Sequence, residues 1–400
     1  MAESGANGAD QRPLEGIRVL DFTRVVAGPL ATRVMADLGA DVIKIEPADG
    51  DLCRTFPPYA PGGQNPYFSQ QNAGKRFCSV DLTAPGAPEL VRELVGHCDV
   101  VVENYRPGVM SKFGLGRDVL CEAHPALVYC SVTGFGQTGP WADRRAYAPV
   151  GHMESGYIEH NMRKAGSGPQ QPALVLGDIV TALLAASSIN GMLVKALRTG
   201  RGGHLDVCMV ESMVYIQEWV ATELAGGWDG PNAGNCQECP ILVLPDGRVW
   251  GLAGNPAAWF DDAVAVMERS DLADDPRFAT PEARMANRHE LYAEMTQWAA
   301  GFADFDDFRR TLEAGSPFSV SEMRSISELA RTDWAQHRGL LAQAESGYAV
   351  PARPALGSGI GTDGHIAARG ADNRETIGGL LDLDDARLDE LESAGVLVAD

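Results

Sequence analysis

The sequence predicts an α/β fold: a large domain built on a mostly parallel sheet, with a smaller α+β domain after it. Three observations carry this expectation. Short β-rich runs alternate with helix-length segments of apolar spacing through the first half, the pattern of βαβ units. The texture changes near Gly226, where a Gly/Pro/Asn stretch precedes a hairpin pattern. The 400 residues, 45% of them hydrophobic, are also enough for two or more cores.

The elements follow in order. Ile17 to Phe22 reads as a first strand, Pro29 to Leu38 as a helix stopped by Gly39, and Asp41 to Glu46 as a second strand. Ser79 to Leu82 is expected as a strand, Pro88 to His97 as a helix, and Asp99 to Asn104 as the next strand. A helix at Gly116 to Glu122 and a strand at Ala126 to Val132 come next. A long helix then begins near Leu176 and ends at Thr199-Gly200, before a strand-like His204 to Met209. Gly227 to Asn232 reads as a linker, and Leu244 to Arg248 as a turn between strands at Ile241 to Leu244 and Val249 to Leu252. Helical patterns cover Ala257 to Met267, Arg288 to Ala299 and Asp306 to Ala314. Beyond residue 330 a loop-rich stretch leads to a last helix at Leu383 to Ala394. The resulting division is a disordered tail at 1–12, a large domain at 13–225, a small one at 226–330, and a return to the large domain at 331–400.

Composition narrows the function classes. A net charge of −21 argues against a nucleic-acid partner, which calls for a basic face. Met1 to Arg12 lacks an apolar leader and no run of eighteen apolar residues occurs, so no membrane partner and a cytoplasmic location are expected. The eight cysteines are scattered and read as free thiols. Cys236 and Cys239 have metal spacing, but neither a second pair nor a nearby His completes a site, so no metal is expected. Gly357 to Gly361 lacks the preceding strand of a dinucleotide loop.

Ligands of parallel sheets bind beyond the carboxyl ends of the strands, which points to Thr23 to Gly28, Asn104 to Gly108 and Thr133 to Tyr147. Asp178, in Leu176-Gly177-Asp178-Ile179-Val180, adds a carboxylate at the start of the long helix. Free N–H groups and the positive helix end keep such a carboxylate ionised and aimed. The same position suits an ordinary helix cap, so position alone leaves cap and nucleophile open.

The ordered motifs decide further. Leu14 to Pro29 contains Leu20-Asp21-Phe22-Thr23-Arg24-Val25-Val26-Ala27-Gly28-Pro29, followed by Leu38 to Glu46. Asn72-Ala73-Gly74-Lys75-Arg76, Val102 to Gly108 and Ser131 to Gly136 come later, in order. This succession, over residues 14 to 215, closely resembles the type III CoA-transferases, a family that includes formyl-CoA and carnitine CoA-transferases and has the α-methylacyl-CoA racemases as relatives. The resemblance implies a Rossmann-like large domain, an interlocked homodimer, and Asp178 as the catalytic carboxylate. It implies that Val25, Val26 and Ala27 lie against the thioester and pantetheine arm, that Asn104 and Lys112 contact CoA, that Arg145 holds the nucleotide part, and that Val80 meets the adenine. Lys75, Arg76 and Arg144 are further cations suited to phosphates. CoA is implied as substrate, with no tightly bound cofactor.

The chain departs from the family pattern at three places. Ala148 stands where many transferases have an acidic residue after the matching Tyr147, and Pro47 replaces a basic residue. The racemases carry a His at the position of Tyr147, and the nearest here is His152. His152 and Glu154 are therefore pocket candidates with Tyr147. The reading implied is CoA transfer from an acyl-CoA to a free carboxylic acid through an Asp178 anhydride and an enzyme–CoA thioester. The alternatives are an α-methylacyl-CoA epimerase, using Asp178 with His152 or Glu154 as the second base, and a non-catalytic acyl-CoA-binding protein.

Overall fold

The computed structural model describes residues 11–57, 65–165, 167–226, 239–352, 359–362 and 364–400. Two compact units emerge, one from residues 1–220 with 333–400 and the other from 221–332. The linker at Gly227 to Asn232, Cys236, and the first two residues of Gly357 to Gly361 lie outside the described residues.

Six strands form the sheet of the large unit: β1 (Arg18–Asp21), β2 (Asp41–Glu46), β3 (Arg76–Ser79), β4 (Val100–Glu103), β5 (Val128–Thr133) and β6 (Gly203–Cys208). All pair in parallel, in the order β3-β2-β1-β4-β5-β6. Helices α1 (Ala27–Asp37), α2 (Pro66–Asn72), α3 (Ala87–Val95), α4 (Val109–Lys112), α5 (Arg117–Ala123), α6 (Ala148–Glu154), α7 (Tyr157–Ala165), α8 (Leu176–Thr199) and α9 (Met209–Tyr215) fill the connections. The chain runs outward from β1 through β2 to β3, then returns to the other side of β1 with β4. That reversal opens a crevice at the carboxyl ends of β1 and β4, where ligands of such sheets bind.

Strand alternation sorts side chains to two faces. Leu20, Ile43, Val101 and Tyr129 bury against Leu90, Val91 and Leu94 of α3 and Leu388 of the final helix, Asp385–Ser393. Val19, Val42, Val100 and Val128 bury on the other face with Ala31 and Met35 of α1 and Ala182, Ala185 and Ile189 of α8. Covering both faces explains why the strands read as near-continuous apolar runs. Among the described residues, α8 is the one helix long and apolar enough to cross a membrane by length and composition, and here its alanine-rich face packs on α1 and β5.

Three expectations change. The third strand is Arg76–Ser79, earlier than the predicted Ser79 to Leu82, because residues 76–79 pair with 43–46 of β2. Past that point the C-terminal segment takes over: Val80 bridges Leu397, and Asp81 N–H donates to Val396 O. The predicted tail falls mostly on residues outside those described, but Arg12 at its end is docked, its guanidinium donating to the carbonyls of Ala36, Asp37, Gly359 and Gly361. The stretch expected as loop after residue 330 also contains a helix, Asp333–Arg338, and a hairpin of Leu341–Gln343 with Ala349–Pro351.

The small unit has an antiparallel sheet of β7 (Ile241–Val243), β8 (Val249–Ala253) and β9 (Ser319–Glu322). Its core gathers Trp250, Phe260, Phe278, Leu291 and Phe308, with Trp250 stacked on Phe308 at 4.6 Å.

Candidate active site

A cavity of about 160 Å³ opens at the crevice between β1 and β4. Its walls come from the segments that follow strands: Arg24, Val25 and Ala27 after β1, Asn104, Tyr105 and Arg106 after β4, and Thr133 and Gly134 at the end of β5. Asp178 lies in the same wall.

The loop from Thr23 to Val26 is suspended from buried charges. Asp21 accepts from the Thr23 N–H at 2.9 Å, from its hydroxyl at 2.5 Å and from the Thr32 hydroxyl at 2.7 Å, and pairs with Lys75 at 3.0 Å. Burial alone would raise Asp21, but Lys75, Lys44 and the threonine hydroxyls outweigh it and hold the carboxyl below its usual range. Lys44 pairs with Asp51 at 3.0 Å and donates to Thr23 O at 2.8 Å. Asp51 accepts the N–H of Val25, and Asn104 clamps Arg24 twice, accepting its N–H at 2.9 Å and donating to its carbonyl at 2.8 Å. Held this way, Val25 takes a left-handed φ of 72°, an unfavourable conformation for a β-branched residue. Gly28 follows because a Cβ there would sit 2.3 Å from Thr23.

The loop delivers the start of α1 to Asp178. Backbone N–H groups of Ala27 and Ala148 face the Asp178 carboxylate and act to lower its pKa. Ala27 opens α1, Ala148 opens α6, and Asp178 lies in the first turn of α8. Three helix N-termini, each carrying partial positive charge, thus meet on one carboxylate. Val175 occupies the cap position of α8 and makes no side-chain cap bond. Asp178 is therefore no cap of its own helix. Burial nevertheless dominates, pushing Asp178 up to about 6 against the lowering effect of the two N–H groups. Such a carboxylate is ionised at neutral pH and more basic than an exposed one. Gly177 makes this geometry possible: a Cβ would meet the Ala148 Cα at 3.2 Å and the Met209 Sδ at 3.1 Å.

A nearby thiol is unreactive. Cys53 donates its thiol to Val25 O at 3.4 Å, and burial, with Asp51 beside it, pushes its pKa to about 12. The thiolate that would react is absent at neutral pH.

Of the residues expected from the sequence, Asp178, Val25, Ala27, Asn104 and Tyr147 come together at the cavity. Val26 is buried beneath it. Val80 is a correction: it is buried in the sheet core and presents no surface to an adenine. Lys75 is another, since its ammonium is committed to Asp21, Pro29 O and Asn72. Arg76 pairs with Asp41 and Glu375. Lys112 and Arg145 are exposed and do not line the cavity. Glu154 pairs with Arg144, and His152 is buried with its Nε2 on the Gly177 N–H. Neither lines the cavity. Arg24, Tyr105 and Arg106 line the cavity within the post-strand segments that the sequence singles out, without having been named individually, and Met209 joins them unexpected. The signal for the first three was present, because each directly follows a strand that had been read correctly.

A family model described as CoA-transferase family III matches residues 14–367. The chain belongs to that family. The succinate–glutarate CoA-transferase of Agrobacterium fabrum is 34% identical, the match covering 85% of this chain and 87% of that protein. Human succinyl-CoA:glutarate CoA-transferase is 35% identical over 70% of this chain and 65% of its own length. The acetyl-CoA:oxalate CoA-transferase of Acetobacter aceti is 32% identical over 87% of this chain and 90% of its own. A solved CaiB/BaiF family protein from Brucella suis superposes with a TM-score of 0.80 at 29% identity, covering 92% of this chain and all of that one. This family III CoA-transferase accordingly moves CoA between an acyl-CoA and a carboxylic acid.

Proposed function

We propose that Asp178 is the nucleophile of this transfer and carries first the acyl group and then CoA. A carboxylate oxygen of Asp178 attacks the thioester carbonyl, the C–S bond breaks, and CoA thiolate leaves a mixed anhydride. The thiolate attacks the Asp178 carbonyl of that anhydride, releasing the donor acid and forming an Asp178–CoA thioester. The acceptor carboxylate attacks that thioester, giving a new anhydride and thiolate. Thiolate attack on the acyl carbonyl yields the product acyl-CoA and restores Asp178. No proton or electron is consumed.

The observation that carries this reading is the convergence of the Ala27 and Ala148 N–H groups on the Asp178 carboxylate. In the second and third steps the carbon under attack is Asp178 Cγ, so negative charge develops on its own oxygen, where those donors already point. Donors fixed before the charge appears stabilise it without reorganisation. Val25, Ala27 and Asn104 at the cavity wall are assigned to the thioester and pantetheine arm, and exposed Lys112 and Arg145 to the nucleotide phosphates. Arg24, Arg106 and Arg144 line the cavity, which suits an anionic acceptor. We assign a dicarboxylic acid, the class named in the glutarate and oxalate enzymes. The exposed apolar side chains Leu183, Val194 and Leu197 on the outer face of α8 support the homodimer.

An epimerase would need a second base facing Asp178. Among the described residues lining the cavity there is no histidine and no carboxylate besides Asp178. To test the proposal, the enzyme is incubated with succinyl-CoA, quenched with hydroxylamine and digested for mass spectrometry. A hydroxamate at Asp178 is expected. Unmodified Asp178 combined with deuterium exchange at the acyl α-carbon would favour the epimerase instead.

A further inference from the structure

His152 is buried at 2% exposure, one helical turn after Ala148 on α6 and hence on the same face. Its Nε2 lies 3.0 Å from the Gly177 N–H, a buried contact. An amide N–H only donates, so Nε2 must present its lone pair and the ring proton must sit on Nδ1. Nδ1 is 2.9 Å from the Gln171 Oε1, which accepts it, and the Gln171 amide nitrogen donates to Pro149 O at 3.3 Å. The circuit closes on the first turn of α6.

The Gly177 N–H is among the first in α8, which have no partner inside the helix. A Ser or Asp at the cap position would ordinarily take such a donor, but Val175 stands there without a cap bond. We infer that His152 is a positioning residue that caps the nucleophile's helix from a neighbouring helix, its neutral imidazole fixing the backbone next to Asp178. Helix α6 grips the first turn of α8 at two adjacent points. The Ala148 N–H faces the Asp178 carboxylate, and His152 Nε2 accepts the N–H one residue before it. A neutral acceptor satisfies the buried donor without placing a second negative charge beside the nucleophile, as an Asp cap would. A leucine in its place would leave that donor orphaned and the first turn free to shift, and ångström-scale misplacement of a reacting group costs about 100-fold in rate.

This inference rests on Asp178 being the nucleophile, and its test separates the two. Single-turnover labelling of Asp178 by succinyl-CoA with hydroxylamine is timed in the wild type, His152→Leu and His152→Gln. A first-order rate per folded molecule does not respond to a change in the folded fraction. The expected result is labelling slowed roughly 10- to 100-fold in His152→Leu, with KM for succinyl-CoA within about twofold. His152→Gln, which keeps an acceptor and a donor, recovers most of the rate. Labelling in His152→Leu at the wild-type rate overturns the positioning role and leaves the nucleophile intact. No label at Asp178 in the wild type overturns the nucleophile instead. Should His152→Leu not fold, ¹⁵N NMR of the histidine-labelled wild type decides: an Nδ1–H tautomer for His152 supports the cap, and an Nε2–H tautomer sinks it.

Discussion

The floor and the rim of the cavity are built on opposite terms. The floor contains Asp178, the Ala27 and Ala148 N–H groups and, behind them, the ion pairs Lys44–Asp51 and Lys75–Asp21, all buried. The rim carries Arg106, Arg144 and Tyr147, all exposed, with Tyr147 at 60%. Arg144 lies over Phe135 at 4.4 Å and over Trp141 at 4.8 Å, and its ion partner Glu154 is itself partly exposed. Reaction chemistry shared by every substrate needs fixed geometry, whereas selection among acids needs side chains that solvent and ligand can reach. The floor should therefore respond to substitution through kcat and stability, and the rim through KM.

The largest effect belongs to Asp178→Asn. If Asp178 is the nucleophile, CoA transfer should fall by at least about 1,000-fold, judged by losses on removing other enzymes' nucleophiles. The same change should stabilise the protein at neutral pH. Asp178 is raised from 3.8 to about 6 in the fold, so the stability tied to its protonated form is complete below pH 3.8 and lost as pH rises through about 6. The asparagine variant avoids that loss. Its advantage should be near zero at pH 4 and approach about 3 kcal/mol at pH 8. Thermal melts of both proteins across that range check it; an advantage that shrinks with rising pH would break the claim that the floor stores strain for chemistry. In the wild type, kcat/KM should decline with acidification below pH 6.

Next comes the support beneath the floor. Lys75→Met leaves Asp21 charged and buried without its cation, and breaking one side of such a pair costs about 3–5 kcal/mol. Denaturant titration measures the loss. Adding Asp21→Asn removes the orphan charge while keeping an acceptor for Thr23, so the double variant should recover much of the stability. A double-variant loss equal to the sum of the two single-variant losses would mean the pair is not coupled.

The rim should behave differently. Arg144 already holds the carboxylate of Glu154, so a substrate carboxylate can take its place. Arg144→Ala is expected to raise KM for a dicarboxylic acceptor about tenfold, roughly 1.4 kcal/mol, while leaving a monocarboxylic acceptor and kcat within about twofold. Steady-state kinetics with paired acceptors of equal chain length tests this. A fall in kcat with KM unchanged would place Arg144 with the floor.

The contrast also explains what could be read in advance. Strand order along the chain, the post-strand segments and Asp178 are local features, visible as apolar runs, turns and a carboxylate at a helix start. Lys75 looked like a phosphate ligand because a lysine after a Gly turn resembles one; its partner Asp21 lies 54 positions away, and no local pattern announces the pairing. Val80 misled in the same manner, since its partner Leu397 arrives from the far end of the chain. His152 was visible as an oddity near the site. Its role depends on how α6 meets α8, which neither segment encodes alone.

Val25 tests the boundary between the two regions, since it lines the cavity yet hangs from the buried charges. Its φ of 72° suits glycine, and a β-branched residue there stores of order 1–3 kcal/mol. Val25→Gly removes that strain but adds the backbone freedom of glycine to the unfolded chain, an opposing term of about 0.5–1 kcal/mol. The variant should thus melt no lower than the wild type, and up to about 2 kcal/mol of net stabilisation is expected. If the strained loop is what aims the Ala27 N–H at Asp178, the same variant should lose several-fold in kcat, because a relaxed loop no longer holds one orientation. A more stable enzyme with undiminished kcat would show that the strain is incidental, and that Asp21, Lys44, Asp51 and Asn104 fix the Ala27 N–H by themselves.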